Sequence, residues 1–305
     1  MRACDAVMLI GFGGPTAPSE IRPFLDGVLR GRPVPRERYE EVVRHYEEIG
    51  GRSPYNDLTM RQARTLRARF QRDGVEVPVV VGMRNWTPSI LEALSTLTAM
   101  DVRTVFGFVL AAHRCEASWE RYLGAVAEAA GVLGGSAPEV VYADPWHSHP
   151  GFIRAVADRT RDALAALDSA ARADAKIIFT AHSVPVAMAA ESGYTEQITE
   201  SSRLVAAELG VDNWTLAFQS RSGSPHDTWL EPDIGASLRK LGRRTAVVVP
   251  IGFLCDHVEV LYDLDIEAAK VARESGVRMV RAATVGNHPE FIGMIASMAR
   301  PQVRF

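Results

Sequence analysis

Short apolar runs recur along the chain, and a longer helical pattern follows most of them. The runs fall at Ala6–Ile10, Val77–Val81, Val105–Leu110, Val140–Tyr142, Ile177–Phe179, Trp214–Phe218 and Val247–Val249. They are rich in β-branched residues, which predicts short buried strands. Helices are predicted over Ser19–Leu29, Tyr39–Glu48, Leu58–Phe70, from Pro88 onward, and over Trp119–Ala130, Gly151–Leu167, Thr195–Leu209, Asp233–Leu241 and Pro289–Met298. Pro88 is expected in the first turn of its helix, where proline is favourable. Strands alternating with helices call for parallel sheets flanked by helices, with ligands at the carboxyl ends of the strands.

The loop Asp144-Pro145-Trp146-His147-Ser148-His149-Pro150 marks a break between two halves. Each half carries a strand, a small residue and a histidine, at Ala111-Ala112-His113-Arg114 and again at Thr180-Ala181-His182-Ser183. That echo predicts two similar βα halves, residues 1–145 and 146–285; the closing segment 286–305 is expected to pack back on the first.

One stretch departs from ordinary amphipathic patterning. Val247–Val249 is broken by Pro250 and Gly252, and a helical pattern follows in which Val258, Leu261, Tyr262 and Ile266 are available for an apolar face. Glu259, Asp263 and Glu267 then stand at i, i+4 and i+8, so a helix would stack three carboxylates in one column, with Asp256 and His257 one turn before. Like charges so spaced cost a few tenths of a kcal/mol per pair. Spacing alone leaves two readings open, a solvated acidic face and a cation site.

Composition narrows the class without identifying it. The 305 residues are 47% hydrophobic and 23% charged, enough for well-filled globular cores. A net charge of -3 gives no electrostatic support for nucleic acid or an anionic membrane surface. No apolar run approaches the roughly 20 residues that cross a bilayer. Met1–Asp5 runs at once into an apolar segment without a signal-peptide layout. Cys4, Cys115 and Cys255 are far apart, too few and too scattered for a zinc knuckle or an iron–sulfur cluster. A reducing, cytoplasmic setting is expected.

Several other features carry chemistry. Gly11-Phe12-Gly13-Gly14-Pro15 is a strand-to-turn opening that lets backbone approach a ligand; it is not a dinucleotide fingerprint, because the third glycine would fall at Thr16. Arg30, His45, Tyr46 and Ser53 cluster in sequence, either to bind carboxylates or as a solvated surface. His182 ends a strand, where a neutral imidazole binds a divalent ion or accepts a proton near neutral pH. One histidine with one carboxylate makes a weak, open metal site, suited to an ion that passes through. His113, beside Arg114, is less suited to a metal. Trp229 reads equally as a binding aromatic or a core cap, and His147 and His149 read as solvent-exposed. No nucleophile elbow or P-loop occurs.

Five segments together resemble the ferrochelatases, the enzymes that insert ferrous iron into a porphyrin at the end of haem synthesis. They are Gly11–Pro15, Ile49-Gly50-Gly51-Arg52-Ser53-Pro54, Thr180-Ala181-His182-Ser183-Val184-Pro185, Gln219-Ser220 with Trp229-Leu230-Glu231-Pro232, and Gly252–Asp263. The resemblance implies two Rossmann-like, chelatase-type halves, each a parallel sheet flanked by helices, with a porphyrin cleft between them. It implies His182 and Glu259 as the iron-binding and catalytic pair, with Asp263 and Glu267 as a relay for cations or protons. Phe12, Arg30, His45, Tyr46, Ser53, Tyr122 and Trp229 are the implied porphyrin contacts. Phe12 stands where some members place an iron-ligating tyrosine, and phenylalanine cannot ligate. The family's Pro-His-x-Ser motif reads Ala112-His113-Arg114-Cys115 here. The cysteines that hold an iron–sulfur cluster in some members are absent, so no permanently bound cofactor is expected and iron is a substrate. The segment Arg30–Arg38 with Gly13-Gly14 favours coproporphyrin III. Protoporphyrin IX, another divalent metal, or a non-catalytic porphyrin carrier are the alternatives. Expected partners are porphyrin and ferrous iron, with transient contact to other enzymes of haem synthesis and none to nucleic acid.

Overall fold

The apolar runs form two four-stranded sheets, each wholly parallel. The computed structural model describes residues 4–222, 227–242 and 244–302. They divide into two units, one drawn from 1–111, 117–145 and 287–305, the other from 112–116 and 146–286. Residues 223–226 of the polar loop 219–230 lie outside the described residues, as do 1–3 and 303–305 at the termini.

In the first unit, strands β1 (Ala6–Gly11), β2 (Val79–Met83), β3 (Thr104–Val109) and β4 (Glu139–Tyr142) take the order β2-β1-β3-β4. β1 is buried at every position, which is why it reads as an unbroken apolar run. Helices α1 (Ile21–Leu29), α2 (Arg36–Glu48), α3 (Tyr55–Arg72), α4 (Ile90–Ala99) and α5 (Arg121–Leu133) connect the strands. One core joins Ala6, Met8 and Ile10 of β1 to Leu94 and Leu97 of α4 and to Tyr122 and Val126 of α5. The last helix of the chain, Pro289–Ala299, packs against α3, and its Phe291 ring meets Phe108 of β3 edge-on at 6.4 Å.

The second unit repeats the plan. Strands β5 (Lys176–His182), β6 (Trp214–Gln219), β7 (Thr245–Val249) and β8 (Arg278–Arg281) take the order β6-β5-β7-β8. Helices α6 (Pro150–Ala165), α7 (Ser169–Ala173), α8 (Val186–Ser192), α9 (Tyr194–Leu209), α10 (Ile234–Leu241), α11 (Val258–Leu261) and α12 (Ala269–Glu274) accompany them, and α13 is the Pro289–Ala299 helix of the first unit. In each sheet the first and third strands are neighbours whose connections leave in opposite directions. That reversal is the switch point where open α/β sheets hold ligands. In the second unit it lies at the carboxyl ends of β5 and β7.

Three expectations are corrected. Pro88 precedes its helix: Ser89 is the N-cap, accepting from Glu92 N–H at 3.1 Å while the Glu92 carboxylate accepts from Ser89 N–H at 2.6 Å. This capping box places the start two residues later than the proline suggests. His147 and His149 are not free in solvent. His149 caps α6, its Nδ1 accepting from Gly151 N–H at 3.0 Å, and His147 Nε2 lies 3.0 Å from Glu200 Oε2. The apolar face after β7 is Val260, Leu264, Ala268 and Ala272, all at 1% exposure or less, rather than Val258, Leu261, Tyr262 and Ile266. A stripe at every fourth residue does not fit pure α-helix. It fits here because Asp263–Ala268 winds as a π-helix, in which Glu267 N–H bonds to Tyr262 O at 2.9 Å.

Candidate active site

The site in the second unit is built by two close backbone approaches. Gly252 N–H donates to Thr180 O at 3.0 Å, and a Cβ on Gly252 would stand 2.8 Å from Ala181 Cα. Only glycine lets the segment after β7 lie this near the end of β5. His257 then caps α11, its Nδ1 accepting from Glu259 N–H at 3.2 Å. Gln219, at the end of β6, donates its side-chain amide to the Glu259 carbonyl. Three strand ends therefore fix the backbone of one glutamate.

This brings His182 Nε2 to 3.5 Å from Glu259 Oε1, with the two side chains 25% and 33% exposed. His182 Nδ1 donates to the Ser183 carbonyl, which fixes the ring's orientation and leaves Nε2 as the nitrogen that faces Glu259. Tyr194 O–H donates to the His182 carbonyl at 3.2 Å, and Ser222 Oγ lies 3.4 Å from Nε2. Two donors sharing one ion at bond lengths of about 2.1 Å lie about 3.0–3.4 Å apart. The observed gap is close to that. Among the described residues no group of three or more His, Cys, Asp or Glu side chains is placed to hold a metal ion. The pair is a two-donor, open arrangement.

Its electrostatics favour the charged pair. Burial pulls His182 down, but the Glu259 charge and hydrogen bond, the Ser183 carbonyl and Asp263 lift its pKa above the ordinary histidine value. Burial pushes Glu259 up, yet His182 and His257 hold it below the usual carboxylate range. Asp263 is different. Burial drives it up to about 7; the Ser220 hydroxyl bond opposes this, and the Glu259 and Glu267 charges add to it. Ser220 donates to Asp263 from a left-handed backbone, φ 64°. Glu267 is exposed. Glu259, Asp263 and Glu267 thus run from partly buried to solvent along one turn of π-helix and its approach, replacing the α-helical column expected from spacing.

Asp256 faces elsewhere. Arg281, 15% exposed, holds Asp265 at 2.6 and 2.8 Å and Asp256 at 3.3 Å on both oxygens, and Thr284 Oγ1 donates to Asp256 at 3.0 Å. One guanidinium therefore ties together the two flanks of the segment that carries Glu259 and Asp263. Nothing in the sequence singles out Arg281; the signal lies in the third dimension. Trp229 is half-buried and forms an isolated antiparallel bridge with Pro185, directly after the His182 strand. His113 is buried, with Nε2 3.0 Å from Ser201 Oγ, whose hydroxyl reaches the His147 carbonyl at 2.7 Å. Burial first, then His147, lowers its pKa to about 3, so it is neutral at physiological pH.

The first unit holds the other expected residues. Phe12 is 36% exposed and stacks edge-on with Phe24, which also meets Tyr46 and Trp86 at ring distances of 6.3, 6.0 and 5.8 Å. Tyr46 and Ser53 are buried. Ser53 N–H donates to Pro15 O at 2.8 Å, and a Cβ on Gly14 would meet Ser53 Cβ at 2.7 Å, so this serine underpins the glycine turn. Arg30 ends α1 at φ 48° and pairs with Glu128 at 3.2 Å. His45 lies 3.9 Å from Glu41, and burial lowers its pKa. Tyr122 is buried in the α4–α5 core. The glycine turn and the aromatic group meet at the carboxyl end of β1, Arg30 stands at the far end of α1, and Tyr122 lies on α5.

The doubly repeated parallel sheet, with a histidine and a glutamate at its switch point, defines a chelatase-type α/β protein. The solved structure of SirB from Bacillus subtilis with Fe3+ matches at a TM-score of 0.58 and 12% identity, covering 99% of this chain and 96% of that one. CbiX, described as the terminal enzyme for biosynthesis of siroheme in denitrifying bacteria, matches at 0.54 and 16%, over 98% of this chain and all of that one. At such identities these likenesses speak for the fold. The sequence speaks for more. Residues 4–303 match the family model described as Ferrochelatase, and the chain belongs to that family. A "Ferrochelatase" of Rhodopirellula baltica is 39% identical over 303 residues, 98% of this chain and 86% of the relative. A "Coproporphyrin III ferrochelatase" of Mycolicibacterium smegmatis is 38% identical over 300 residues, 96% and 88%.

Proposed function

We propose that the protein inserts ferrous iron into coproporphyrin III, with loss of two pyrrole protons. The single observation that carries the chemistry is His182 Nε2 facing Glu259 at 3.5 Å with Nδ1 already committed to Ser183. An imidazole so held turns one nitrogen, in one direction, toward a carboxylate, and its neutral form presents a single lone pair there. Once the ion has passed from Nε2 to the macrocycle, that lone pair accepts a pyrrole proton and Glu259 offsets the positive charge that develops. Asp263, pushed up to about 7, exchanges protons at physiological pH and passes them to the exposed Glu267. Only two strong donors hold the ion, so it is released to the macrocycle instead of being retained.

The porphyrin contacts are Phe12, Arg30, His45, Tyr46, Ser53, Tyr122 and Trp229. The choice of coproporphyrin III follows the name of the Mycolicibacterium smegmatis relative and the basic Arg30–Arg38 segment. The reading includes no resident cofactor; Cys4, Cys115 and Cys255 are buried. Among the described residues no helix is long and apolar enough to cross a membrane, and the proposed location is the cytoplasm. Purified protein mixed with ferrous, cobaltous or zinc ion and either coproporphyrin III or protoporphyrin IX tests the reading by absorbance. The proposal expects fastest insertion with ferrous iron and coproporphyrin III. Porphyrin binding without insertion of any metal would make the chain a carrier and overturn it.

A further inference from the structure

The loop after β2 holds polar side chains that the fold leaves without partners. Arg84 N–H donates to Gly11 O at 2.8 Å and Asn85 N–H to Phe12 O at 3.0 Å, fixing the loop beside the turn that ends β1. Asn85 is 9% exposed, and both polar atoms of its side chain are buried with no hydrogen-bond partner. Arg84 Nε is likewise buried with no hydrogen-bond partner. Burying a polar group without a partner is destabilising, and burying a charge is more so. A fold seeking stability alone would replace both residues.

The surroundings point to what would satisfy them. Gly27 of α1 stands against this loop, its Cβ position 3.8 Å from Asn85 O. At the end of the same helix Arg30 reaches across to Glu128 of α5. The loop, α1 and α5 are therefore neighbours within one unit. Burial pulls the Arg84 pKa down; Tyr122 of α5 opposes this, and the positive charges of Arg30, Arg121 and Arg32 add to the fall. Three of the charges that act on Arg84 are therefore guanidinium groups. An anion with two oxygens relieves this arrangement: it accepts from the guanidinium fork and from the Asn85 amide.

We propose that Arg84 and Asn85 hold a carboxylate of the tetrapyrrole substrate, in a subsite bounded by Arg30 and Tyr122. The inference rests on the porphyrin reading above and adds a binding residue on the β2 loop that the sequence motifs do not contain. The carboxylates are the anionic groups of a coproporphyrin, so recognition here fixes the ring's orientation without touching its pyrrole nitrogens.

The test compares wild type, Arg84→Met, Arg84→Lys and Asn85→Ala in full-length protein. Coproporphyrin III affinity is read by fluorescence quenching at two or more salt concentrations, and iron insertion by steady-state kinetics. Loss of one charge-assisted contact weakens Arg84→Met binding by about 10- to 100-fold. The weakening shows in KM, with kcat changed far less. Arg84→Lys recovers part of the affinity, Asn85→Ala loses affinity in the same direction, and the Arg84→Met salt dependence is shallower than that of wild type. The ligand-free Arg84→Met protein unfolds at the same temperature or higher, because an uncompensated buried charge has gone. Unchanged affinity in Arg84→Met overturns the inference. So does an equal loss in Arg84→Lys and Arg84→Met, or a lower unfolding temperature, which would mark a structural partner. If wild type itself fails to bind coproporphyrin III, the porphyrin reading is what fails.

Discussion

Asp263→Asn should make the protein more stable and a poorer catalyst, and the stability gain should depend on pH in a defined way. In the unfolded chain this carboxyl ionises near its ordinary value of 3.8, and in the folded chain near about 7. Between those values the folded protein holds a proton that the unfolded protein has lost. Stability therefore falls as pH rises through this window, and the loss is complete above about pH 7. The gap converts to a ceiling of about 4 kcal/mol. Partial solvent access around a half-buried side chain reduces that to about 2 kcal/mol. Asparagine never carries the charge, and its carbonyl oxygen still accepts from Ser220. Urea unfolding at about pH 4, 6 and 8 checks this. The expected gain over wild type is near zero at the lowest pH and about 2 kcal/mol at the highest. His182 contributes in the same sense: its raised pKa adds stability that is lost with increasing pH. Subtracting wild type from variant at each pH removes most of that common background. A gain that does not change with pH, or a loss at about pH 8, would refute the placement of a neutralisable carboxyl at Asp263.

Gly252→Ala puts a Cβ 2.7 Å from Ala181 Cβ and 2.8 Å from Ala181 Cα, contacts that no rotamer change can relieve. The expected cost is about 1–3 kcal/mol of stability, with a large fall in iron insertion as Glu259 moves off His182; thermal unfolding and an absorbance assay read the two effects. Arg281→Met leaves Asp256 and Asp265 facing each other without their shared cation. Because Asp265 is 37% exposed, the expected loss is about 2–3 kcal/mol, below the full value for a buried pair, and it shows as a lower urea midpoint with unchanged slope. Replacing both carboxylates as well, with Asp256→Asn and Asp265→Asn, recovers much of that loss if repulsion is its cause.

Much of this architecture was legible in the pattern of apolar runs. β1, β5 and β7 are buried over nearly their whole length and therefore read as unbroken β-branched segments. The histidine at the end of β5 was legible for the same reason. β8 was not: its residues Arg278-Met279-Val280-Arg281 begin and end in arginine, as suits an edge strand. Short helices such as Ser169–Ala173 carry too few residues to show a period. The π-helix at Asp263–Ala268 has no residue signature of its own, so α-helical spacing points to Val258, Leu261, Tyr262 and Ile266 instead of the face that is buried. Only the buried sequence Val260, Leu264, Ala268, Ala272, a strict four-residue repeat, hints at the wider winding. Arg84, Asn85 and Arg281 were invisible as functional candidates because their meaning depends on which partners the fold does or does not supply.

The central claim is that His182 and Glu259 act on the ion and the pyrrole protons rather than on porphyrin affinity. The most direct measurement is iron insertion into coproporphyrin III by His182→Ala and Glu259→Gln, with porphyrin affinity measured on the same preparations. Affinity should stay within a few-fold of wild type, while insertion falls by about 100-fold or more in each variant. Insertion within about tenfold of wild type in His182→Ala, with porphyrin bound normally, would contradict the account.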